Sequence, residues 1–362
     1  MTYPFNSILI NGREVTIASI ISTKALPRTE FESHTFTFIR QWLTNHDDFS
    51  ITTSGSTGKP KTIPLTRAQM RASARMTVNF LALKKNDRAL VCLNTQFIAG
   101  RMMLVRAFEA GLHIIVQEPS ANPLQGVVSD IDFIALVPLQ FQSIIDAGKM
   151  YVEKLNRMKA IIIGGAPVHD SLKEKIKKIK SPVFSTYGMT ETISHVALQR
   201  LNGEHGTEKY LMLPGIHIKK DDRGCLVIDA PYLSNKITTN DLVDITSAAE
   251  FQWLGRWDNI INTGGLKIIP EEVESKISYT FTSLSIDANF FIHSLPDERL
   301  GNKIILVIET EKHLNKEEII SSVKQSLSKY EVPKDIITIP QFSYTQTGKI
   351  NRTESMLKAG KN

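Results

Sequence analysis

Short apolar runs alternate with amphipathic stretches along most of this chain. Ile8-Leu9-Ile10 and Val15-Thr16-Ile17 flank Asn11-Gly12, a dipeptide suited to a two-residue hairpin because both residues tolerate positive φ. Phe38, Ile39, Trp42 and Leu43 recur on one helix face and predict a helix over 35–45. A strand over 49–53 leads into a polar tract. Beyond it Thr66 is placed as an N-cap, ahead of Met70, Ala74, Val78 and Leu81, the inner stripe of a second helix. The rhythm then becomes regular, with strands over 89–94, 112–117, 132–137, 158–163 and 182–187 and helices over 99–110, 138–148 and 170–180. Wholly apolar strands alternating with helices are what a parallel sheet buried on both faces requires. The expected fold class is therefore α/β, with a large N-terminal domain of layered, mostly parallel sheets.

Beyond residue 200 the pattern changes to short strands and turns, with Asp221-Asp222-Arg223-Gly224 a turn between apolar runs at 216–218 and 225–228. The segment 260–362 reads as a small α+β unit with helices near 270–278 and 315–329 and strands near 286–292, 303–309 and 336–340. The boundary is placed between Trp257 and Asp258, giving domains 1–257 and 258–362. Ligands of open α/β sheets bind beyond the carboxyl ends of strands. Two informative tracts lie there: Gly164-Gly165-Ala166-Pro167 after the 158–163 strand, and Tyr187-Gly188-Met189-Thr190-Glu191-Thr192 at the end of the 182–187 strand.

Composition narrows the function classes. The chain has 362 residues, 42% hydrophobic and 22% charged, with a formal charge of +6. Its lysines are spread out and interleaved with acids, which argues against a nucleic-acid surface and suits a small anionic substrate. Cys92 and Cys225 lie in apolar runs without a metal-ligand pattern and are read as buried thiols of a reducing compartment. The first residues lack a leader pattern, and no apolar run approaches the ~20 residues of a membrane span. The expectation is a cytoplasmic protein with no nucleic-acid partner and no membrane span.

The tract Thr52-Thr53-Ser54-Gly55-Ser56-Thr57-Gly58-Lys59-Pro60-Lys61 combines hydroxyls, glycines and lysines, the chemistry of a loop wrapped around phosphate oxygens. It is not a Walker loop, because the glycine spacing is too short and Pro60 follows Lys59. Together with Tyr187-Gly188-Met189-Thr190-Glu191, with Gly255-Arg256-Trp257-Asp258 and Thr263-Gly264-Gly265, and with Thr347-Gly348-Lys349-Ile350, it resembles the adenylate-forming superfamily of acyl-CoA ligases, luciferases and peptide-synthetase adenylation domains.

That resemblance implies a two-step reaction. A carboxylate attacks the α-phosphate of ATP to give an acyl-adenylate and pyrophosphate, and a thiol, usually coenzyme A, then displaces AMP. It also implies roles for individual residues. Ser54, Ser56, Thr57 and Lys61 would hold the β- and γ-phosphates, with Gly55 and Gly58 giving the loop room to move. Thr190 would donate to the α-phosphate, and Glu191 would bind Mg2+, a hard cation that favours carboxylate oxygen. Tyr187 would face adenine, with Gly188 following it and Gly164, Gly165 and Ala166 on the other side. Asp241 would bind the ribose hydroxyls, although Asn240 stands where the family carries glycine. Arg256 would support the ribose or α-phosphate, and Lys349 would be carried into the site for adenylation. Asp258 matches a hinge, followed by Asn259 where the family has a second acid. Gly264 and Gly265 would line the pantetheine passage.

The acid is less legible. Leu93-Asn94-Thr95-Gln96-Phe97-Ile98-Ala99-Gly100-Arg101 resembles a family segment that carries histidine at the Phe97 position, and Thr192-Ile193-Ser194-His195 resembles the o-succinylbenzoate–CoA ligases of menaquinone synthesis. That substrate has a second carboxylate, for which Arg101 and His195 are the candidate readers. The alternatives are a ligase for another aryl or acyl acid, a stand-alone adenylation enzyme loading a carrier protein, and a non-catalytic nucleotide-binding protein of the same fold.

Overall fold

The computed structural model describes residues 5–53, 61–345 and 350–360, with the side chains of Thr52, Thr53 and Lys61 outside that description. Six strands run parallel, in the spatial order Val183–Gly188, Ala160–Ile163, Phe133–Leu136, Arg88–Val91, His113–Val116 and Ser7–Ile10. Successive residues belong to opposite faces: Ala89 and Val91 enter one core while Leu90 and Cys92 enter the other, and Ile162 is likewise separated from Ile161 and Ile163. This period of two, with both faces covered, explains the continuous apolar runs. Antiparallel strands extend the sheet at both ends, to thirteen in all. The α/β expectation holds, with parallel order through the centre and antiparallel pairing outside it.

The N-terminal hairpin turns at Asn11 and Gly12, with φ of 48° and 76°, and its first strand also completes the parallel edge by pairing Leu9 with Ile115. Thr66 does cap the helix Arg67–Phe80, through a reciprocal box in which Gln69 N–H donates to Thr66 Oγ1 at 3.2 Å and Thr66 N–H donates to Gln69 Oε1 at 2.9 Å. The predicted 315–329 helix closes earlier, as Lys316–Val323, and the predicted 138–148 helix is followed by a separate one, Lys149–Leu155, after Gly148 at φ 110°. Glycine in that conformation stops the first helix. Strand Ile237–Ser247, unread in the sequence because threonine, asparagine and aspartate interrupt it, pairs with Glu250–Arg256 and becomes central to the site.

From residue 261 onward the buried side chains make their own cores, around the strands Phe290–Asp297, Gly301–Glu309 and Asp335–Ile339 and the helix Pro270–Ser283.

One buried carboxylate ties the N-terminal hairpin to the helix Glu30–Leu43. Glu32 is 1% exposed and accepts from Arg13 Nη2 at 2.8 Å, Asn11 Nδ2 at 2.9 Å and Arg28 N–H at 2.8 Å. Replacing Glu32 with alanine leaves those donors unpaired; allowing for the partial exposure of Arg13, the expected cost is about 1–3 kcal/mol. Urea denaturation checks this as a lower midpoint at unchanged slope.

Candidate active site

Two neighbouring parallel strands deliver the first site segments, with Ile163 opposite Ser185. A Cβ on Gly164 would lie 2.4 Å from Thr186 Oγ1, and a Cβ on Gly188 would lie 2.4 Å from His195 Cα and 2.5 Å from Ser194 O. Both glycines are thus demanded by the chain's own packing, and Gly165 by its φ of 86°. Ala166 follows in the same loop.

Tyr187 sits edge-on to Phe251, with centroids 5.0 Å apart, and its hydroxyl donates to Asp241 Oδ2 at 2.7 Å. Burial, then the Asp241 charge, pushes its phenol up, so it remains a neutral donor. Asp241 is 7% exposed; its Oδ1 accepts from Trp253 Nε1 at 3.2 Å and faces Arg256 Nη1 at 3.5 Å. Asp241 and Arg256 are opposite residues of adjacent antiparallel strands, which is what brings them together. Partial burial opposes the Arg256 charge, but the bond to Asp258 at 3.0 Å and the Asp241 carboxylate outweigh it and raise the guanidinium's pKa. Tyr187, Asp241, Arg256 and Asp258 therefore form one bonded group.

Thr190 and Glu191 occupy a single turn of 3-10 helix, Thr190–Thr192, directly after the Tyr187 strand. Glu191 is exposed. Thr192 braces the turn: its Oγ1 accepts from Met189 N–H at 3.0 Å and lies 2.7 Å from Ser194 O. Ile193 closes it at φ 69° and ψ −46°, a conformation costly for a β-branched residue, while its side chain is 2% exposed. Burial of that side chain holds the strained backbone in place and so fixes the direction of the Thr190–Glu191 turn.

Gly264 and Gly265, at φ 55° and 80°, are the two turn residues of the hairpin between Ile261–Thr263 and Leu266–Ile268. Positive φ at both positions is sufficient reason for glycine there.

The antiparallel strands Asp48–Thr53 and Lys61–Thr66 bring the ends of the polar tract together, Thr53 opposite Lys61. Ser54, Gly55, Ser56, Thr57, Gly58 and Lys349 lie outside the described residues, and of Lys61 only the backbone position is described.

Both sequence candidates for a second substrate carboxylate have partners within the chain. Arg101 donates to Thr95 O at 3.1 Å and Ser50 O at 3.0 Å and lies over Phe38, so its guanidinium serves to join loop, strand and helix. His195 is 6% exposed, and burial, reinforced by Arg106, lowers its pKa well below the ordinary value, leaving the ring neutral.

The cation that the sequence reading missed is Arg106. It is 2% exposed on the helix Ile98–Ala110, and burial lowers its pKa to about 9. Nη2 donates to Ser194 Oγ at 2.6 Å and reaches His195 Nδ1 at 3.5 Å, while Nε is buried without a partner. Among the described residues no carboxylate pairs with it. Because arginine only donates, Nδ1 of His195 accepts, and Nε2–H faces Thr77 Oγ1 at 2.9 Å. The available signal was a single charge inside the apolar run Met102-Met103-Leu104-Val105-Arg106-Ala107-Phe108.

Residues 15–227 match the family model described as AMP-binding enzyme. An acyl-CoA synthetase (AMP-forming)/AMP-acid ligase II-like protein from Dyadobacter fermentans is 42% identical, with a TM-score of 0.63 and coverage of 93% of this chain and 97% of that one. The 2-succinylbenzoate–CoA ligase of Staphylococcus aureus (strain MSSA476) is 26% identical over 337 residues, 86% of this chain and 67% of that one. The o-succinylbenzoate coenzyme A synthetase of Bacillus subtilis, solved with ATP and magnesium ion, shares the fold at a TM-score of 0.70 and 21% identity over 84% of this chain and 69% of that one. The chain belongs to the AMP-binding enzymes, the adenylate-forming superfamily that contains the AMP-forming acyl-CoA ligases.

Proposed function

We propose that this enzyme is an o-succinylbenzoate–CoA ligase, activating one carboxylate of a diacid with ATP and transferring the acyl group to coenzyme A. The observation that carries the diacid reading is Arg106, a buried cation that has, among the described residues, no acid partner and no partner for its Nε, beside Ser194 Oγ. A buried charge of this kind is costly until an anion meets it, and a substrate carboxylate supplies one through charge-assisted bonds. The relatives named 2-succinylbenzoate–CoA ligase support the same reading. A ligase for a different acid is the second reading, and the name of the 42% identical structure, an AMP-forming acyl-CoA synthetase, is compatible with either.

In the first step a carboxylate oxygen bonds to the α-phosphorus while the bond to the bridging oxygen breaks and its electron pair leaves with pyrophosphate. Asp241 and Arg256 hold the ribose side, Tyr187 the adenine, and Thr190 an α-phosphate oxygen. Lys349 offsets the repulsion between carboxylate and phosphate. In the second step the sulfur of coenzyme A bonds to the acyl carbon, the bond to the AMP oxygen breaks and the thiol proton passes to solvent. No group of three or more acids, histidines or cysteines poised for a metal occurs among the described residues. One exposed carboxylate at Glu191 fits Mg2+, which binds through few protein ligands together with water and substrate phosphates. The ion supplies charge neutralisation at those phosphates. The small C-terminal part, from Asp258, would turn between the two steps.

Pyrophosphate release with ATP, Mg2+ and a panel of aryl and dicarboxylic acids tests the proposal. 2-Succinylbenzoate is expected to be the best acid, with AMP released rapidly only when coenzyme A is added; preference for a monoacid overturns the diacid reading. Arg106→Gln is expected to raise KM for the diacid by about 30- to 100-fold, the size of a lost charge-assisted bond, while leaving slow turnover of benzoate within about threefold. Lys349→Ala is expected to slow adenylate formation by about 10²–10³-fold, yet thioester formation from preformed adenylate only a few-fold. Magnesium titration of Glu191→Gln is expected to show an Mg2+ requirement raised at least about tenfold.

A further inference from the structure

Two departures from the family pattern meet at one turn. Asn240 replaces the glycine before the ribose acid, and its Nδ2 donates to both oxygens of Asp258, at 3.0 and 3.1 Å. Arg223 Nη1 donates to Asn240 Oδ1 at 2.9 Å, so the amide is fixed with its nitrogen toward the carboxylate. Arg223 is itself held by Asp221 Oδ2 at 2.9 Å and Thr239 O at 3.1 Å. On the far side, Asn259 replaces the family's second acid and donates from Nδ2 to Glu271 Oε1, on the helix Pro270–Ser283. An aspartate there would set two carboxylates against each other. At the start of the turn, the Trp257 indole lies 5.9 Å from the Arg223 guanidinium and 5.1 Å from the Lys267 ammonium. The approach is close, since a Cβ on Gly255 would lie 2.5 Å from Glu271 Oε2.

We propose that Asn240 and Asn259 are positioning residues that clamp the turn Trp257–Asn259 from opposite sides and thereby set how fast the C-terminal part turns between the two half-reactions. With glycine at 240, Asp258 would keep only Arg256; with aspartate at 259, the tie to Glu271 would become a repulsion. Both residues act through others: Asn240 through Asp258, and Asn259 through Glu271, whose Oε2 faces the Arg256 backbone N–H at 3.5 Å. The catalytic consequence rests on the ligase reading above; the clamp itself rests only on the bonds just given.

The test compares the wild type with Asn240→Gly, Asn259→Asp, the double variant and Arg223→Gln, which removes the support behind Asn240. Amide hydrogen exchange over 256–260 is expected to quicken by about fivefold in each single variant and by more in the double, as weakened charge-assisted bonds require. Complete turnover with coenzyme A, divided by single-turnover pyrophosphate release without it, is expected to rise by about three- to tenfold in the double variant. Unchanged exchange in all four variants overturns the clamp. Faster exchange with an unchanged ratio, or both rates falling together, overturns its role in turnover. Absence of pyrophosphate release with every acid would count against the ligase reading instead, and the exchange comparison would still decide whether the clamp exists.

Discussion

The carboxylate of Asp241 is the point at which the parallel and antiparallel parts of the sheet are tied together. It is almost fully buried, and three donors reach it: the Tyr187 hydroxyl from the last parallel strand, and the Trp253 indole and Arg256 guanidinium from the antiparallel strand alongside its own. A buried anion is tolerable only when its lone pairs are met. Each of those three residues is therefore fixed in direction by the need to satisfy Asp241, and Arg256 passes the constraint on to Asp258 and the turn beyond.

A second polar group lies between helices and sheet, and it is built on the opposite principle. Arg106, His195, Ser194 and Thr77 form a hydrogen-bonded chain, buried except at the half-buried Ser194, with a cation at one end and, among the described residues, no anion paired with that cation. In the Asp241 group charge is balanced within the protein; here burial has driven the Arg106 pKa down and left the imidazole neutral. Positive charge held in a protein interior without a paired anion is costly, because the low dielectric around it does not replace the solvation that water gives. Between the two groups sits the Thr190–Thr192 turn, held at the strained Ile193 by apolar burial. Strain of this kind persists where surrounding packing over-determines the backbone.

Much of this was legible in the residues. The alternation of apolar runs with helical spacing announced the parallel sheet, and the Asn11-Gly12 and Thr66 signals specified a hairpin turn and a helix cap that are present as expected. Such features depend on contacts a few residues apart, where the period of a helix or strand and the φ a turn demands are decided locally. The place of the Tyr187–Glu191 tract was equally plain: Tyr187 and Gly188 close a strand, and Thr190 and Glu191 lie in the turn after it.

The sequence by itself determined the α/β rhythm, the membership of the adenylate-forming superfamily and the short list of polar residues from which a site was to be drawn. Only the tertiary structure decided which of those side chains find partners within the chain and which, among the described residues, are left without them. Arg101 and Arg106 look alike in sequence, five positions apart on one helix, yet one is bound to the carbonyls of Thr95 and Ser50 and the other is buried beside Ser194 with no acid paired to it among the described residues. Asn240 looked like a lost glycine until its amide was found on Asp258. The reason is physical: the free energy of a charged or hydrogen-bonding side chain depends on burial and on partners dozens of residues away, and those are fixed only once the sheet has brought its strands into register.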